Sequence, residues 1–190
     1  MTAMQVAQRM TAKEFMALSV RPDSWNYELV EGELVVHDPA ALHGDTQRDL
    51  IYALVAWTRE KPGRGAAALP RDVHLDGQNV FQPDILWYRE ERVWSREDPP
   101  PYPIPDLAVE IRSPSTWKYD IGAKKAAYER CGLPELWLVD TIAAEVLAFR
   151  RSASAVASFD IALELDRGEA LTSPLLPGFA LELDELFPTC

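Results

Sequence analysis

The chain has almost no cysteine: Cys131 and Cys190 are the only two in 190 residues. That excludes a disulfide framework and the paired-Cys spacing of structural zinc sites. Histidine is nearly as scarce, and His37, His43 and His74 show no metal-ligand spacing. Long hydrophobic runs are missing too. The longest, Ile51-Tyr-Ala-Leu-Val-Ala-Trp57, falls far short of the ~20 residues a bilayer-spanning helix needs. Met1 to Thr11 lack the apolar core of a signal peptide, so a soluble, cytoplasmic protein without membrane contact is expected. Basic charge is in deficit: 19 Lys and Arg against 30 Asp and Glu give a net charge of −11. Such a balance opposes tight, non-specific binding to nucleic acid, which rests on neutralising phosphates. It does not exclude a nuclease, whose metal-binding carboxylates add negative charge and whose substrate a local basic patch can guide. With no repeat, low-complexity tract or linker, residues 1–190 read as one domain, with 1–24 an N-terminal extension carrying a short helix.

What is present is a clear succession of elements. Thr11-Ala-Lys-Glu14 is a capping box opening a short helix to about Leu18. Tyr27–Val30 and Glu33–Val36 flank Glu31-Gly32 as a hairpin that Asp38-Pro39 ends. Leu42, Leu50, Ile51, Leu54, Val55 and Trp57 recur at helical spacing over 41–60, until Lys61-Pro62-Gly63. Strands are expected over Ala66–Leu75, broken if anywhere at Pro70, over Val80–Tyr88 and over Asp106–Arg112. A proline-stiffened loop lies before the last of these. A helix then begins between Ser115 and Asp120 and ends at Cys131-Gly132, and Glu135–Asp140 is a buried-type strand. Val146–Phe149, Phe159–Leu165 and Phe179–Leu183 read as short strands extending or flanking the sheet.

The order helix, three strands, helix, strand predicts an α/β protein with a mixed sheet. Sequential strands form an antiparallel meander, and the second helix returns the chain so that 135–140 lies parallel to 106–112. The start of the strand carrying Asp84 then lies beside the end of the strand carrying Glu110. Alternation places Leu107, Val109 and Ile111 on one face and Asp106, Ala108, Glu110 and Arg112 on the other. The helix starts at that same end of the sheet, bringing Lys124 back toward the two carboxylates. An aspartate and a glutamate so paired can chelate a hard divalent cation. Lys124 can orient the attacking water or offset charge built up in phosphoryl chemistry, and Arg112, on the face of Glu110, can contact a phosphate. A metal-dependent nuclease follows.

Plainer readings compete residue by residue. Asp84 after Pro83 suits a turn, and Lys124 with Asp120 suits an i, i+4 surface ion pair. Arg112 can be a rim residue paired with a neighbouring acid. Glu110 resists such a reading, because carboxylates inside apolar strands are rare unless paired or ligating. Ser115 and Lys118 match the Ser-x-x-Lys spacing of some serine acyl-enzymes, without that class's companion motifs.

Taken together, several stretches closely resemble the Uma family of restriction endonucleases, a branch of the PD-(D/E)XK nuclease superfamily. They are Tyr27–Leu34, His43, Pro83-Asp84, Glu110–Thr116, Asp120–Lys124, Gly132–Asp140 and Pro177–Phe187. The resemblance implies a restriction-endonuclease-like fold with an αβββαβ core, flanking helices and extra N- and C-terminal strands. It implies Mg²⁺-dependent phosphodiester hydrolysis of nucleic acid, DNA first, with Mn²⁺ as a substitute and Asp84 and Glu110 as ligands. The superfamily's lysine two residues beyond the glutamate is replaced here by Arg112, and the basic residue is relocated to Lys124. Glu28 and His43 match family positions as well. A two-fold homodimer is expected from this resemblance and from the apolar edges left by the short strands. A non-catalytic binding or assembly module that retains the fold is the alternative, favoured by the net charge.

Overall fold

The computed structural model describes residues 9–18, 27–37, 40–95 and 97–188. Most of the N-terminal extension and the Asp38-Pro39 stop lie outside these. Helix α1 (Ala12–Met16) opens on the expected capping box: Glu14 N–H donates to Thr11 Oγ1 (3.2 Å) and Thr11 N–H to Glu14 Oε2 (2.8 Å). Strands β1 (Tyr27–Val30) and β2 (Glu33–Val36) form the hairpin. Glu31 and Gly32 turn it at φ 50° and 80°, the left-handed pair that a two-residue loop between twisted strands requires. Helix α2 (Ala41–Glu60) buries His43, Thr46, Leu50, Leu54 and Trp57, one stripe at helical spacing.

The expected meander is broken in two places. Four strands form where two long ones were expected: β3 (Ala66–Ala68), β4 (Val73–Asp76), β5 (Asn79–Phe81) and β6 (Ile85–Tyr88). Pro70 and Pro83 interrupt the ladders, because each lacks an N–H and fixes φ. The pieces part company at these prolines. β4 and β5 join the hairpin in a four-stranded sheet, order β2-β1-β5-β4. β3 and β6 enter the main sheet together with β7 (Leu107–Ile111), β8 (Glu135–Asp140), β9 (Glu145–Arg150) and β10 (Ile161–Leu165), in the order β10-β9-β8-β7-β6-β3. As expected, β6 and β7 are antiparallel, with Ile85 opposite Val109, and β7 and β8 are parallel. β11 (Ala170–Thr172) and β12 (Ala180–Glu182) make a separate hairpin, and Leu183–Leu186 is a short helix, α5, rather than the end of a strand.

Between β7 and β8 the chain is helical in three pieces: α3 (Trp117–Tyr119), a π-turn (Asp120–Lys124) and α4 (Lys125–Arg130). Gly132, at φ 84°, then reverses the chain. Both faces of the main sheet are covered. Leu107, Val109, Ile111, Trp137 and Val139 pack against Leu50, Leu54 and Trp57 of α2 and the C-terminal Phe179 and Leu186. Ala108, Leu136 and Leu138 pack against Ala127 and Tyr128 of α4 and against Phe81, Val30 and Val35 of the smaller sheet. Every residue of β7 and β8 is buried, the pattern of central strands covered on both sides. Glu110 is therefore enclosed between layers, where a carboxylate needs partners.

Candidate active site

Asp84 lies at the switch between β5 and β6, where the chain passes from one sheet to the other. Its carboxylate is anchored by β7 and faced by α2. Oδ2 accepts the Ile111 N–H (2.6 Å), and Oδ1 stands 3.1 Å from His43 Nε2. Gln47 of α2 donates to the Asp84 main-chain oxygen (2.8 Å). His43 reaches this position because it is in phase with Leu50 and Leu54 on the buried stripe of α2.

Glu110 points from β7 toward the helical return. Tyr128 OH donates to its Oε1 (2.6 Å), and Lys124 Nζ sits 2.8 Å from its Oε2. Lys124 is the hub. Its ammonium lies 3.0 Å from both oxygens of Glu28 and 3.1 Å from Asp120 Oδ1, and 5.4 Å above the Phe81 ring. Thr116 Oγ1 donates to the other Asp120 oxygen (3.0 Å). Glu28 also accepts the Gln82 N–H (2.5 Å) and is bonded to His37 Nε2. Glu28, Glu110, Asp120 and Lys124 are each no more than 1% exposed.

This corrects the surface ion-pair reading of Asp120 and Lys124. The i, i+4 pair exists, yet it is enclosed, and the π-turn that carries it belongs to a geometry often found at functional sites. The charges respond accordingly. Burial opposes the Lys124 ammonium, but Glu110, Glu28 and Asp120 outweigh it and push its pKa well above the ordinary lysine value. Three carboxylates hold the Lys124 ammonium in one place. Burial would also raise Glu28, but Lys124 and His37 bring it down to about 2. Glu110 and Asp120 are pushed up, chiefly by burial, against the pull of Lys124. Three carboxylates thus share the one Lys124 ammonium.

Arg112 does not join this group. Its guanidinium donates to Asp140 Oδ2 at the end of β8 (2.6 Å) and lies 5.5 Å from the Trp117 ring centroid. Ser115 and Lys118 are exposed, with Ser115 Oγ 3.3 Å from Ser113 Oγ. A cavity of about 480 Å³ opens beside Asp84, lined by His37, His43, Gln47 and Gln82, with Leu69 and Pro70 on its apolar wall. The structure therefore brings together Asp84, Glu110, Lys124, Glu28 and His43. Sequence reading missed His37, Tyr128 and the role of Asp120. Tyr128 follows Lys124 by four residues, a helical spacing that points it at the same partners. Nothing local marks His37.

Among the described residues no group of three or more His, Cys, Asp or Glu side chains could hold a metal ion. Two carboxylates leave most positions to water and substrate oxygen, the usual manner of holding Mg²⁺, which keeps several waters of its own.

A solved structure titled as a putative nuclease belonging to DUF820, from Anabaena variabilis ATCC 29413, aligns with a TM-score of 0.76 at 18% identity, covering 94% of this chain and 97% of that one. The likeness at this identity establishes the architecture. The chain belongs to the Uma2 family, described as "Putative restriction endonuclease", which it matches over residues 12–184. Among curated proteins none matches.

Proposed function

We propose that the protein is a metal-dependent endonuclease that hydrolyses phosphodiester bonds in nucleic acid, with DNA as the first substrate to test. The observation that carries this reading is the buried ammonium of Lys124, 2.8 Å from Glu110, behind a cavity at whose wall Asp84 stands. Asp84 and Glu110 would hold Mg²⁺, or Mn²⁺ in its place, supplying Lewis acidity to the scissile phosphate and a lowered pKa to the attacking water. Lys124 offsets negative charge as it grows on the phosphate, at no cost in reorganisation because three carboxylates already fix it. Glu28 and Asp120 keep that ammonium protonated and in place. His43 holds Asp84 by Oδ1 and fixes its orientation.

The test is cleavage of plasmid and single-stranded DNA with Mg²⁺ or Mn²⁺, with and without chelator, for the wild type and for Asp84→Asn and Glu110→Gln. Chelator-sensitive cleavage lost in both variants supports the reading; cleavage by no form of the protein rejects it.

A non-catalytic assembly module is favoured by one specific observation. Arg48, Arg64, Arg89, Arg92, Arg112 and Arg150 each form an ion pair within the chain, leaving fewer cations to neutralise phosphates. A folded protein that neither cleaves nor binds DNA, with or without divalent cation, is the outcome that selects it. No helix among the described residues is long and apolar enough to cross a membrane. Self-association as a two-fold homodimer is part of the proposal. Leu34 and Val36 are 45% and 50% exposed on β2, an edge strand of the smaller sheet. Light scattering that returns the monomer mass of 21.4 kDa at every concentration rejects it.

A further inference from the structure

His37 lies outside every motif by which the sequence points to the site, yet it is built into it. It follows β2, one residue past the Tyr27–Val36 pair, so the hairpin register delivers its ring to Glu28 on the neighbouring strand. Glu28 Oε1 accepts from the Gln82 N–H (2.5 Å) and Lys124 Nζ (3.0 Å). Its Oε2 accepts from Lys124 Nζ (3.0 Å) and meets His37 Nε2. With 14% of its side chain exposed, His37 also lines the cavity that holds His43 and Asp84. It touches the Lys124 group from the solvent side.

We propose that His37 is a positioning residue of this site, holding Glu28 by Oε2 so that Glu28 in turn clamps the Lys124 ammonium against Glu110. The catalytic consequence rests on the nuclease reading; the geometric claim stands apart from it. Lys124 Nζ is equidistant from the two Glu28 oxygens, a seat that requires the carboxylate plane to be fixed. Gln82 N–H fixes one oxygen and His37 the other. Charge supports the assignment. Burial disfavours a protonated His37, but the Glu28 carboxylate outweighs it and raises the pKa of the ring, with Asp84 adding to this and Lys124 opposing it. Removing the ring frees Oε2 to turn toward cavity water, and Lys124 loses its fixed relation to Glu110. Partners one step behind a reactive group typically matter by about 10- to 100-fold in activity or metal affinity.

The competing reading makes His37–Glu28 an ion pair that adds stability and nothing else. The deciding experiment compares the wild type with His37→Ala, His37→Gln and His37→Asn. Two readouts are taken: kinetics of DNA cleavage, and the Nζ resonance of Lys124 in protein carrying ¹⁵N-labelled lysine. His37→Ala should lower kcat by about 10- to 100-fold with little change in KM, and should move or broaden the Lys124 resonance. His37→Gln, which places an amide N–H near the position of Nε2, should restore both; His37→Asn, which is too short, should restore neither. Wild-type kcat and an unmoved resonance in His37→Ala overturn the proposal. If His37→Ala does not fold, the Gln and Asn variants decide by the same two readouts. Should the wild type cleave no DNA, the nuclease reading fails while the Lys124 resonance still settles the positioning role of His37.

Discussion

Lys124 Nζ lies 2.8 Å from Glu110 Oε2, and both side chains are about 1% exposed. An ammonium on the helical return is thereby locked to a carboxylate on the central strand, inside the protein and not at its rim. A buried pair of this kind behaves asymmetrically. Its formation adds little net stability, whereas removing one member leaves uncompensated charge and costs about 3–5 kcal/mol.

Lys124→Ala is therefore expected to lose metal-dependent cleavage and also to lose about 3–5 kcal/mol of stability, in contrast to the intact fold that a surface position implied. Urea denaturation checks it. A loss below about 1 kcal/mol, the range of exposed pairs, would contradict the buried geometry. Lys124→Met, which fills the same volume without the charge, separates packing from charge.

Glu28 makes stability depend on acidity. Its folded pKa is about 2, below the ordinary 4.5, so its contribution is present above about pH 4.5 and is lost as pH falls through 4.5 toward 2. The size is on the order of 3 kcal/mol. Glu28→Gln should be less stable than the wild type at pH 6, with the difference shrinking steadily below pH 4.5. A constant difference across that window refutes the assignment. His37 has the opposite sign: its pKa is raised from 6.5, so its contribution is full below pH 6.5 and is lost as pH rises through the folded value.

Arg112 is expected to be nearly silent in catalysis. Because it is committed to Asp140 and about a third exposed, Arg112→Ala should change cleavage at saturating DNA by less than about threefold and lower stability by less than about 1 kcal/mol. A large rise in KM would instead mean that the arginine leaves Asp140 to bind phosphate.

Divalent cation should stabilise the protein through Asp84 and Glu110. At a concentration about a hundredfold above Kd, Mg²⁺ or Mn²⁺ adds about 2.7 kcal/mol, worth several degrees in Tm for a domain of this size. Differential scanning calorimetry should show the rise in the wild type and its absence in Asp84→Asn and Glu110→Gln. Equal rises in all three would place the ion elsewhere.

The central part of this architecture was legible because both of its signals are local. The apolar run of Glu135–Asp140 reads as a central strand, and the helix before it dictates the parallel pairing with β7. The antiparallel step from β6 to β7 then sets Asp84 beside the end of the strand that holds Glu110. Other features depend on distant contacts. Pro83 looks like a strand interior until the smaller sheet is seen to capture Asn79–Phe81. The π-turn at Asp120–Lys124 has no sequence mark, and His37 enters the site only through a hairpin register. The rim reading of Arg112 anticipated an acidic partner, but not that this partner would be Asp140 at the end of β8.

The passage of the chain from one sheet to the other at Pro83 also governs when the site can exist. Glu28 belongs to the smaller sheet, Glu110 to the larger and Lys124 to the helical return, 96 residues in sequence from Glu28. Contacts of such separation form late, once the loops between them have closed. A nascent or cleaved chain bearing only one of the two sheets holds only part of this cluster. The proposed site is thereby tied to completion of the fold, and unfinished copies lack it.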